Sequence, residues 1–191
     1  MEITPQDVQG RARATKLAHS DPSRAAEAAY AIRHPWYRCQ ALASAAEAEP
    51  NRTRALKLLE DSFQAAEEQD EINRVVTVAS WPLVPCLRLS AGLAEAKVRM
   101  YLQMAATEPH TLRRADALLA ILFAVKDVPA LKSQVLPAIA EAVSHGRGWR
   151  IERIIADVAL LIRDDYPQHL PALLAAHREN RAKRKLLEEL G

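Results

Sequence analysis

Four segments of the 191-residue chain align without gaps, each led by an arginine. They are Arg38-Cys-Gln-Ala-Leu-Ala-Ser-Ala, Arg74-Val-Val-Thr-Val-Ala-Ser-Trp, Arg114-Ala-Asp-Ala-Leu-Leu-Ala-Ile and Arg153-Ile-Ile-Ala-Asp-Val-Ala-Leu. The arginines are spaced 36, 40 and 39 residues apart. A self-similar period of this length marks one supersecondary unit stacked on copies of itself. The fourth position of each segment is Ala41, Thr77, Ala117 and Ala156, and the seventh is Ser44, Ser80, Ala120 and Ala159. Small residues at fixed positions let neighbouring backbones approach closely.

Composition says what the unit is made of. The chain has 36 alanines, only 5 glycines and 5% aromatics, which favours helix throughout. The Arg-led helices are nearly apolar all round in the later three segments, so they need cover on several sides. Each is preceded by a more amphipathic helix, expected at about 22–33, 53–69, 91–107 and 131–144. In the second of these, Ala55, Leu56, Leu59, Phe63 and Ala66 recur at helical spacing, while Arg54, Lys57, Glu60, Asp61, Gln64 and Glu67 fill the opposite face. Asp21-Pro22 and Val128-Pro129 are helix starts, and Glu49-Pro50-Asn51, Glu108-Pro109-His110 and Gly146-Arg147-Gly148 are turns. Pro82 and Pro85 fall within the second Arg-led helix, which should either kink at Pro82 and widen a groove beside Trp81 or, more commonly, end there with Trp81 as core filler.

These patterns predict an all-α protein: a short right-handed α-solenoid, or α-α superhelix, of about four helix-turn-helix repeats with terminal capping helices. The whole chain 1–191 is one domain, with repeats at about 22–50, 51–90, 91–129 and 130–170. A partial helix over 5–20 precedes them and a capping helix over 171–190 follows. The paired helices, with Arg opening the second and small or Leu positions after it, resemble HEAT-like and tetratricopeptide-like repeats. Asp70-Glu-Ile-Asn-Arg74-Val is the closest local match to the HEAT pattern, and the tetratricopeptide Trp, Leu-Gly and Tyr signature is absent. The resemblance implies a scaffold or adaptor that binds other molecules, not an enzyme.

Nothing in the sequence argues for chemistry. There is no phosphate-binding Gly-Lys loop, no Gly-x-Ser-x-Gly, no His-Glu-x-x-His and no Cys-x-x-Cys. His34 and His110 each lie four residues before a repeat arginine and read as turn residues, far apart for metal ligation. Asp164 and Asp165 are adjacent, so they do not face each other on a helix and read as a solvated helix end. No cofactor, metal or catalytic residue is expected. Cys39 and Cys86 lie in apolar helices and read as reduced core residues. The longest uncharged run, Val75 to Leu87, is too short to cross a bilayer, and the polar amino terminus lacks the marks of a signal peptide. The expected setting is cytoplasmic, away from membranes.

Function then rests on surfaces. Aligned on the arginines, the third, seventh and tenth positions of the Arg-led helices form one column that would line a concave face. From it come the candidate binding residues Gln40, Val76, Ser80, Leu83, Asp116, Phe123 and Ile155. An apolar strip with a few polar neighbours suits a partner helix, an extended peptide or a second copy of the chain. The arginines Arg38, Arg74, Arg114 and Arg153 form a ladder that either binds anions or packs and pairs structurally. With the basic stretch from Arg178 to Lys185, the ladder makes nucleic-acid binding the alternative function. The net charge of +2 is small for a dedicated polyanion binder.

Overall fold

The structure, a computed structural model, describes residues 2–191. Among them lie eleven α-helices, one 3-10 turn and no strand. The helices are α1 (Pro5–Ala18), α2 (Pro22–Tyr30), α3 (Pro35–Ala48), α4 (Arg52–Glu67), α5 (Ile72–Leu89) and α6 (Ala91–Ala106). They continue as α7 (Thr111–Ala124), α8 (Pro129–Ser144), α9 (Trp149–Ile162), α10 (Leu170–Ala176) and α11 (Arg181–Leu190), with the 3-10 turn Pro167–His169 before α10.

Short polar residues and prolines set the starts. Thr4 and Asp7 cap α1 reciprocally, and Asp21, Asn51 and Asn180 each accept the backbone N–H three residues on. Pro5, Pro22, Pro35 and Pro129 occupy first helical positions, where the missing N–H costs nothing. His34 and His110 are both N-cap residues, of α3 and α7, which makes them equivalent as their spacing suggested.

The odd-numbered helices form one row: α1 packs on α3, α3 on α5, α5 on α7 and α7 on α9. The even-numbered helices lie against it, each touching its two neighbours in sequence: α2 touches α1 and α3, α4 touches α3 and α5, and so on to α8. α10 packs on α8 and α9, and α11 on α9. The core runs between the rows. Its largest buried side chains are Tyr101 of α6 and Phe63 of α4, whose rings lie 6.2 Å apart with Lys97 Nζ 4.9 Å from the Phe63 centroid. Alanine fills the tightest approaches, with Ala25, Ala41, Ala45, Ala79, Ala94 and Ala115 wholly buried.

Two expectations are corrected. Helix α5 does not stop at Pro82; it runs unbroken from Ile72 to Leu89 through both prolines. Pro82 cannot donate to the Val78 carbonyl, and the Cys39 thiol, 3.5 Å away, donates to it from α3 instead. Contacts with α3, α4, α6 and α7 hold the rest of the helix. The carboxyl-terminal segment is also not one helix over 171–190. It breaks between Ala176 and Arg181, where Asn180 accepts the Lys183 N–H and starts a new helix.

Candidate functional site

A groove of about 410 Å3 opens on the outer face of the odd row, across α3, α5 and α7. Ala43, Ala120 and Ala124 are its small residues, Ser44, Ser80 and Glu47 its polar ones, and Trp81, Val84 and Phe123 its large apolar ones. Those three are 43%, 44% and 44% exposed, in a chain whose other apolar side chains are mostly covered. Counted from each helix start, the groove is built by the tenth and thirteenth residues of three helices. These are Ser44 and Glu47 of α3, Trp81 and Val84 of α5, and Ala120 and Phe123 of α7. Three residues separate the two positions, so they share a helix face.

Polar groups in and beside the groove are held locally. Ser44 Oγ donates to the Gln40 carbonyl at 3.1 Å and Ser80 Oγ to the Thr77 carbonyl at 2.7 Å. Glu47 pairs with Arg88 across from α3 to the end of α5. The groove therefore offers shape and apolar area, with the Glu47–Arg88 charge pair at one side.

The sequence-derived candidates divide. Ser80 and Phe123 line the groove. Val76, Leu83 and Ile155 do not: all three have no exposed surface and belong to the core. Gln40 is also buried, one turn below Ser44. Asp116 is exposed but lies outside the groove lining; partial burial pushes its carboxyl above the ordinary range, against the pull of Arg150 and Arg153. Trp81 is a groove wall and not core filler, one of the two places its sequence context allowed.

The corrections have one geometric origin in α5. Arg38 and Arg114 are the fourth residues of their helices, whereas Arg74 is the third. Alignment on the arginines slides α5 by one residue, which is about 100° of helix rotation. That puts Val76 and Leu83 where Thr77 and Val84 face outward. Aligned on helix starts, the sequence does yield Val84. In α9 Arg153 is the fifth residue, a one-residue shift the other way, and this last helix of the row also packs on α7, α8, α10 and α11, which encloses Ile155 and Ile162.

The arginine ladder is not a uniform stripe. The Arg38 guanidinium donates to the Ile32 and Arg33 carbonyls and pairs with Glu68. Arg74 pairs with Asp70 and Glu71 at 3.3 Å each, and Arg153 lies 3.7 Å from Asp157. Arg114 is half-buried, and its Nε has no partner. In the carboxyl-terminal basic stretch, Arg178 pairs with Glu152 and Lys183 with Glu179. Asp165 accepts from the buried Lys132 at 2.6 Å. Among the described residues no three His, Cys, Asp or Glu side chains gather as metal ligands, and no helix is long and apolar enough to cross a membrane.

No family model, curated protein or solved structure matches the chain.

Proposed function

We propose that the two rows of helices are a short α-solenoid of the HEAT-like or tetratricopeptide-like kind, and that it works as a non-catalytic scaffold or adaptor. The odd row supplies its concave face, and the groove across α3, α5 and α7 receives a peptide or helix of another protein. One observation carries this reading: Trp81, Val84 and Phe123 stay nearly half exposed around an alanine-lined groove. Leaving that apolar area in water gives up roughly 25 cal/mol per Å2 of available burial, and grouped exposed apolar residues mark binding sites. A bound segment that inserts one or two aliphatic or aromatic side chains would recover it, with aromatic walls as anchors.

Selection of a displayed library of helical peptides against the protein tests this. Enrichment should converge on peptides with a Leu, Phe or Trp anchor, and their affinity should drop about tenfold or more for Phe123→Asp, which removes an anchor contact. Selected peptides that bind the wild type and Phe123→Asp equally would overturn the reading.

A further inference from the structure

A second surface lies where α9 begins. Trp149 is its first residue and is 65% exposed, more than any other large apolar side chain outside the groove or within it. The chain reaches it through Gly146-Arg147-Gly148, a loop whose shape rests on its glycines. A Cβ on Gly146 would lie 2.6 Å from Ile151 Cδ1, and Gly148 has φ of 103°, in the left-handed region that disfavours side chains. The turn thereby sets a large ring out in solvent. The Arg150 guanidinium lies over that ring, 5.4 Å from its centroid.

The ring stands in a basic part of the chain. Residues 145–185 hold nine Lys and Arg against five Asp and Glu. The tail is brought to the same place by Glu152, one turn into α9. It pairs with Arg178 and accepts from Asn180 Nδ2 at 3.1 Å, which sets the start of α11 beside the start of α9. The acids here are mostly spent within the fold: Glu152 on the tail, Asp157 on Arg153 and Glu179 on Lys183. Arg147, Arg150, Arg181 and Arg184 are left without a carboxylate partner within ion-pair distance among the described residues. Arg147 also lines a cleft of about 350 Å3 with His110 and His145, between the loop before α7 and the loop before α9.

We propose that this edge binds single-stranded nucleic acid, with a base stacked on Trp149 and phosphates on the unpaired arginines. An exposed indole among unpaired guanidiniums matches a strand that carries both flat unpaired bases and regular negative charge. A duplex hides its base faces, and an acidic peptide has none to offer. The surface is separate from the groove, so the proposal does not depend on the scaffold reading.

The test is fluorescence anisotropy with labelled 12-nucleotide single-stranded RNA and DNA of mixed sequence, a 12-base-pair duplex and poly-glutamate, over a range of salt. At least one single strand should bind more tightly than the duplex and poly-glutamate, and whichever binds more tightly identifies the natural sugar. Trp149→Ala should weaken binding about fivefold or more, and Trp149→Phe should restore most of it. Arg147→Ala with Arg150→Ala should reduce the slope of log affinity against log salt by about 0.7 per lost phosphate contact. Phe123→Asp should change nothing, and melting curves of all variants should match the wild type, since the changed side chains are exposed. The proposal is overturned if neither strand binds, if poly-glutamate or the duplex binds as well, or if Trp149→Ala binds like the wild type.

Discussion

The thiol of Cys39 and the ring of Pro82 belong to one interaction. Pro82 deprives the Val78 carbonyl of its helical donor, and Cys39 supplies a weak one from the neighbouring helix. Ser62 Oγ in turn donates to the Cys39 carbonyl at 2.8 Å. Burial pushes the Cys39 thiol up to about 12, so it stays protonated and inert. Replacing Cys39 with Val keeps the volume but removes the donor, and chemical denaturation should show a loss of about 1 kcal/mol. Asp7 acts over a longer distance. Its carboxylate accepts from the Thr4 N–H and hydroxyl and from the His34 N–H, tying α1 to the start of α3. Those bonds, the Thr4 side chain first, hold its pKa down from 3.8 to about 2. A depressed carboxyl stabilises the fold fully above its unfolded pKa and loses that contribution as pH falls through the folded one. Stability should therefore decline between about pH 4 and pH 2, and Asp7→Asn should remove that part of the decline. An unchanged acid limb in Asp7→Asn would refute the assignment. Neither partnership was legible in the sequence, because Cys39 with Val78 and Asp7 with His34 meet only through packing of helices distant in the chain.

At the scale of elements, helix positions were legible to within a few residues, because prolines, asparagines and apolar periodicity mark local physics. The failures were where context overrides local rules. Pro82 and Pro85 sit inside α5 because neighbours on four sides hold it. The tail breaks at Asn180 because a good N-cap competes with continuation, and because Glu152 offers Arg178 and Asn180 partners. Glu152 is held below its ordinary range by Arg178 and Asn180, so it is charged and fixed at neutral pH. Glu152→Ala should release α11, whose main packing partner is α9. Limited proteolysis should then cut at 177–180 markedly faster, while the main thermal transition moves by about 2–4 °C at most. Equal cleavage rates would show that α11 is anchored by Leu186 alone.

In the whole molecule the odd helices pack one on the next in a row, and the rotation of each helix within that row was not legible in the sequence. Ser80 and Phe123 were found because α7 keeps the arginine register and Ser80 borders the face in either register. Val84 was missed and Leu83 chosen because Arg74 is displaced by one position within its helix. On the proposed reading, Trp81, Val84 and Phe123 form a face outside the core that a partner can reach. Adjacent residues of α5 test it most directly, since Leu83 is wholly buried and Val84 is 44% exposed. The measurement is thermal unfolding of Val84→Asp beside Leu83→Asp. Val84→Asp should unfold cooperatively within about 0.5 kcal/mol of the wild type, as surface changes do. Leu83→Asp should lose about 3–5 kcal/mol by burying an unpaired carboxylate. Comparable destabilisation by both substitutions would make this face part of the core and contradict the account.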